Sequence, residues 1–175
     1  MTCALLIISC KKDKNEPVDQ PPIVIEQELI TTFKLVLKDT LGLKPTITVY
    51  FRDLDGPGGS NPSQFDTIRL SSNTVYQATI DFFNESLIPT DTITKEIIEE
   101  AKDHLICFSP NNINLGVKRT DSDGTYELGL SSLWTIGTIS TGNILIQLKH
   151  QPDIKNGICD LGETDIELNF EVIIE

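Results

Sequence analysis

The sequence predicts an all-β protein with one short helix, folded as an antiparallel, immunoglobulin-like β-sandwich. Three observations lead there. The chain holds 23 Ile and 18 Thr against 3 Ala, a bias toward β-branched residues that suit a pleated surface and lose side-chain freedom in a helix. Apolar residues recur at alternate positions in segment after segment, the period of a strand with one buried face. A single stretch shows the helical period instead. At 175 residues the chain is long enough for one domain with a substantial core and too short for two comfortable ones.

Taken in order, residues 1–9 read as the remnant of a signal peptide. Ala4 to Ile8 form an apolar run far short of the roughly 20 residues that a transmembrane helix needs, and Ser9-Cys10 is followed at once by Lys11-Lys12-Asp13-Lys14. An apolar run, a small residue and then Cys resembles the lipobox of bacterial lipoproteins, which implies that Cys10 is acylated and becomes the first residue of the mature chain. No Lys or Arg precedes the run, so we expect the true start upstream. Residues 10–24 are then a lipid-bearing Cys and a flexible tether, because residues 11–22 hold three Lys, three acids and three Pro and little apolar surface to pack. Residues 25–175 make the single domain.

Within that domain Phe33, Leu35 and Leu37 share one strand face while Thr32, Lys34 and Lys38 share the other. Ile47, Val49 and Phe51 repeat the pattern, as do Tyr76, Ala78, Ile80 and Phe82, then Ile144, Ile146 and Leu148, and finally Ile166, Leu168, Phe170, Val172 and Ile174. Less regular strands fit Phe65 to Ser71, Ile113 to Arg119 and Tyr126 to Trp134. Asp55-Gly56-Pro57-Gly58-Gly59 and Asp123-Gly124 supply turn chemistry between strands. Ile97, Ile98, Ala101 and Leu105 fall at i, i+1, i+4 and i+8 among acids and lysines. That spacing predicts an amphipathic helix over 94–105, with Thr92 or Thr94 as its N-cap.

The tether, Phe51-Arg52-Asp53-Leu54-Asp55-Gly56-Pro57-Gly58-Gly59, Asn73-Thr74-Val75-Tyr76, Leu148-Lys149-His150-Gln151-Pro152 and Gly162-Glu163-Thr164-Asp165-Ile166-Glu167 together resemble a family of small Bacteroidetes lipoproteins. The resemblance runs over nearly the whole chain and implies a lipid-anchored envelope protein. Some members carry the label "type 1 periplasmic binding fold", which requires two βαβ-rich lobes, whereas this sequence alternates as strands throughout and offers one helix.

Several side chains are candidates for chemistry. His104 and His150 both fall on inward parity near the end of an element. With Glu163 or Asp165 nearby they have the donors to hold zinc or copper; the plainer alternative is two half-buried histidines satisfied by backbone groups. Asp53-Leu54-Asp55-Gly56 is similar to the start of a calcium loop, but the twelfth position counted from Asp53 is Gln64, so an EF-hand is excluded and solvated turn carboxylates are the default reading. With Cys10 lipidated, Cys107 and Cys159 are left in an exported protein, able to form a disulfide; Cys107 equally fits a buried apolar position in Leu105-Ile106-Cys107-Phe108. Asp39-Thr40-Leu41, Asp66-Thr67-Ile68 and Asp91-Thr92-Ile93 look like the O-glycosylation triplet of exported Bacteroidetes proteins.

The net charge of −12 excludes nucleic acid as an expected partner; residues 11–22 are charge-balanced, so the domain carries all of it. Catalytic signatures are absent: no G-x-S-x-G elbow, no H-E-x-x-H and no phosphate-cradling glycine loop. Acidic pairs such as Glu99-Glu100 read as a solvated helix face. The expected function is therefore a non-catalytic envelope lipoprotein without a resident cofactor. It would be held at the membrane, most simply the outer membrane, by its lipid, and would act as a binding or accessory module beside an outer-membrane transporter or another envelope protein. The second expectation is a zinc- or copper-binding lipoprotein that uses the two histidines.

Overall fold

Phe33, Leu35 and Leu37 are all fully buried along the first strand, β1 (Thr32–Asp39), so the alternation read from the sequence is a strand lying on a core. This computed structural model describes residues 29–175; the signal remnant, Cys10, the whole tether and residues 25–28 lie outside them. β1 pairs antiparallel with β2 (Ile47–Arg52) on one side and β5 (Val75–Phe83) on the other. β3 (Gln64–Phe65), β7 (Leu115–Arg119) and β8 (Ser131–Ile136) complete a six-stranded sheet in the order β3-β2-β1-β5-β8-β7. The second sheet runs β4-β10-β9-β6, formed by β4 (Ile68–Leu70), β10 (Glu163–Ile174), β9 (Ser140–His150) and β6 (His104–Asn111). The two sheets make an all-β sandwich in which, among the described residues, β4 alongside β10 is the one parallel pair.

Aromatic rings join the layers: Phe33 of β1 packs on Phe82 at 5.6 Å and on Phe170 of β10 at 5.3 Å, and Phe65 meets Phe170 edge-on at 4.9 Å. Trp134 is fully buried and donates its indole N–H to Ser132 at 3.0 Å. Such rings bring large apolar area to the core, and each polar edge needs a partner.

Three sequence expectations are corrected. The helix α1 spans Ile93–Glu99, not 94–105, and His104 and Leu105 belong to strand β6. Eight consecutive pairings between β6 and β9 outweigh the helical period of that stretch. Ile93 and Ile97 bury α1 against β5 while Ile98 is exposed. Thr92 is the N-cap as expected, without a side-chain cap hydrogen bond, and the Thr94 hydroxyl instead accepts from the Phe82 N–H at 2.7 Å and donates to the Phe82 carbonyl at 3.2 Å. The segment expected as one strand from Phe65 to Ser71 is split between sheets. Asp66 accepts from the Tyr50 N–H at 2.8 Å and ends the pairing with β2, after which Ile68–Leu70 joins β10. Tyr126 to Leu130 is not strand, and β8 starts only at Ser131.

Candidate functional site

One end of the sandwich gathers the polar side chains that the sequence singled out. β6 starts there, β9 ends there and β10 starts there, so His104, His150 and Glu163 stand in a row of directly opposed positions across three strands. Directly opposed antiparallel residues share a face. The two imidazoles stack, with ring centroids 4.9 Å apart and planes 16° apart. His104 is buried and His150 half-buried.

The carboxylates arrive by other routes. Glu100 is the C-cap of α1, and its carbonyl oxygen lies 3.1 Å from His104 Nδ1. Donor atoms of Glu100, His104 and His150 all fall within 4.8 Å of one another. Of the two acids expected beside the histidines, Glu163 is exposed and absent from this group. Asp165, also outside this group, does approach His104, its Oδ2 lying 4.0 Å from Nε2 with both side chains about nine-tenths buried. The register of β9 and β10 shifts between Thr164 and Ile166, leaving Asp165 as the extra residue of a bulge, a device that re-aims one side chain out of the regular alternation. Gly162 lets the chain enter β10 so closely that a Cβ there would collide with the His150 carbonyl.

Beside this corner a cleft of about 550 Å³ opens between the sheets. Phe51, Phe65 and Leu168 form apolar wall, Asp53, Asp165 and Glu167 bring carboxylates, and Leu29 and Ile30 line the rim where the described chain begins. Asp53 Oδ1 is buried without a hydrogen-bond partner. Burial first, and then the hydrogen bond and charge of Asp55, raise the pKa of Asp53 above the usual carboxylate range. Asp55 is shifted the other way, chiefly by the Ser60 N–H that it accepts at 2.8 Å. The supposed calcium loop is thus a turn in which Asp55 is engaged by backbone and Asp53 keeps one bare oxygen.

Cys107 is joined to Cys159 by a disulfide. It pins the segment 151–162 over the outer face of β6, which explains why Leu105 and Cys107 are buried although Ile106 between them faces the core. The same segment carries Lys155, whose buried ammonium donates to the Ala101 carbonyl at 2.7 Å and to Asp123 Oδ2 at 2.8 Å. Of the three Asp-Thr triplets, the Thr40 hydroxyl donates to the Val75 carbonyl and the Thr67 hydroxyl to Glu171, and Thr92 stands at the N-cap position of α1.

Sequence reasoning missed Glu100 as a neighbour of the histidines. The signal was its spacing of four residues from His104, which puts the two on one face of a helix, but Glu100 was read with Glu99 as a solvated face. No helix among the described residues is long and apolar enough to cross a membrane. No protein-family model, curated protein or solved structure matches the chain.

Proposed function

We propose that this chain is a non-catalytic, lipid-anchored envelope module, similar to the small Bacteroidetes lipoproteins, that holds a ligand in the cleft between its sheets. The cleft is the observation that carries the reading. A concave site of a few hundred Å³ with apolar walls and few, placed polar groups is the usual form of a ligand pocket, and this one measures about 550 Å³. Its walls suit a ligand with an apolar body, and Asp53, Asp165 and Glu167 favour a positively charged group on it. Leu29 and Ile30 line the rim, so a tether from Cys10 would join the domain beside the site and hold it near the membrane, where an outer-membrane transporter or another envelope protein is the expected neighbour.

The test has two arms. In cells, with a functional upstream signal, Cys10→Ser should abolish acyl labelling and move the protein to the soluble fraction; more than one acyl chain gives stable anchoring. Unchanged membrane association in that variant overturns the anchor. In solution, hydrophobic primary amines should raise the melting temperature and the matching carboxylates should not, and the shift should shrink in Asp53→Asn. Equal responses to both classes overturn the cleft assignment.

A further inference from the structure

We infer that the corner where donor atoms of Glu100, His104 and His150 lie within 4.8 Å of one another, with Asp165 beside His104, is a binding site for one zinc or copper ion. The inference goes beyond the cleft and the membrane anchor and does not depend on either.

The protonation pattern of His104 is the first support. A carbonyl oxygen only accepts, so the 3.1 Å contact between Nδ1 and the Glu100 carbonyl puts the ring hydrogen on Nδ1. In the neutral imidazole the lone pair then sits on Nε2. A ring N–H held by a backbone carbonyl is the arrangement that fixes tautomer and orientation in metal-bound histidines.

What Nε2 faces is the second support. Asp165 Oδ2 lies 4.0 Å away, beyond the roughly 2.7–3.2 Å of a hydrogen bond. Zinc binds imidazole nitrogen at about 2.0–2.1 Å and carboxylate oxygen at about 2.0–2.2 Å. The gap is therefore close to the sum of two metal bonds, and modest inward rotation of either side chain completes a bent N–metal–O angle. His150 brings the third donor: among the described residues no hydrogen bond reaches its ring, and because a ring nitrogen's lone pair lies in the ring plane, His150 would turn out of its stack on His104, now 4.9 Å between centroids with planes 16° apart, to share the ion. The Glu100 carboxylate, with its donor atom within 4.8 Å of those of both histidines, completes the set from the exposed side.

Donor chemistry selects the ion. Two imidazoles with carboxylate suit zinc, copper or nickel rather than calcium or magnesium, which take oxygen ligands, and copper(II) outranks zinc in the general affinity order. The backbone holds the donors independently of the metal. His104 and His150 are locked by strand pairing, and Asp165 is aimed at them by a bulge between two regular stretches of ladder.

The experiment is a calorimetric titration of the whole chain with Zn(II), Cu(II) and Ca(II), in a Cys3→Ser, Cys10→Ser background so that those thiols do not compete. One equivalent of zinc and of copper should bind, copper more tightly, and calcium should not. His150→Ala, at a half-buried strand end, should weaken zinc on the order of 100-fold, and Asp165→Asn roughly 10-fold or more. Because His104→Ala empties a buried position, the role of His104 is read on the unsubstituted ring. Zinc should shift the Nε2 resonance of His104 into the metal-bound range while Nδ1 keeps its proton. Absence of zinc and copper binding, affinity unchanged in His150→Ala, or imidazole resonances unmoved by zinc would each overturn the site.

Discussion

Lys155 and Asp165 are buried a short distance apart in the chain, on either side of the disulfide-bonded Cys159, and their surroundings differ. The Lys155 ammonium reaches two oxygens at 2.7 and 2.8 Å, and its partner Asp123 also accepts the Thr125 and Tyr126 N–H groups at 2.7 and 2.8 Å through its other oxygen. Asp165 pairs with His104 across 4.0 Å, and in the adjoining cleft Asp53 Oδ1 has no hydrogen-bond partner among the described residues. A buried charge is costly unless paired and hydrogen-bonded. The first region meets that demand internally and holds the loop on the sheet. The second leaves it partly unmet at Asp53 Oδ1. The difference separates a buried charge that the fold neutralises with its own groups from one whose carboxyl is pushed toward the protonated form.

The comparison breaks most visibly at the disulfide. A loop of 52 residues closed by a bridge is worth about 4 kcal/mol on the chain-entropy estimate. Cys107→Ala with Cys159→Ala should therefore lower the urea unfolding free energy by about that amount and the melting temperature by about 10 °C. A loss below about 1 kcal/mol would mean that the segment 151–162 is held by its other contacts alone.

Next in size is the buried ion pair. Lys155→Met should cost about 3 kcal/mol, because it leaves Asp123 buried and uncompensated, and adding Asp123→Asn should restore part of the loss. Burial alone would raise the pKa of Asp123, but the Lys155 hydrogen bond, the Tyr126 and Thr125 N–H groups and the Lys155 charge bring it down to about 2 from the ordinary 3.8. With the folded value below the unfolded one, the stabilisation is present above pH 3.8 and is lost as pH falls through about 2. Denaturation followed from pH 5 downward should show this loss in the parent and not in Asp123→Asn.

The smallest effect should come from Asp53 and should have the opposite sign. Its raised pKa means that the folded chain holds that proton more tightly than the unfolded one. Its contribution is favourable below the ordinary carboxylate range and is lost as pH rises through the raised value. Asp53→Asn should accordingly raise the urea midpoint at pH 7 and leave it nearly unchanged at pH 4. A lower midpoint at pH 7 would place Asp53 with Asp123, among the groups that hold the fold.

Much of the site was legible residue by residue. Inward parity along Ile144, Ile146 and Leu148 carries straight on to His150, and the strand exists as read. His104 was also placed inward, yet through a helix that stops at Glu99; the apolar positions Ile106 and Phe108 are equally compatible with a strand, and local periodicity cannot weigh eight cross-strand pairs against one more turn of helix. Asp165 was named as a neighbour of the histidines, while Glu163, named as well, stands directly opposite His150 but is exposed and outside the group of close donor atoms. A bulge adds one residue to a strand and reverses which side chain points inward, and the sequence has no mark for it.

Local chemistry alone determined the class of this protein: β-branched composition, period-two burial, the turns and an acidic surface follow from each residue's preference for its immediate surroundings. What only the tertiary structure decided is which strands are neighbours. The split of Gln64–Leu70 between two sheets, the opposition of His104 to His150 and the bridge from Cys107 to Cys159 join residues far apart in sequence. Their pairing depends on how all the apolar faces are buried at once, a property that no single segment carries.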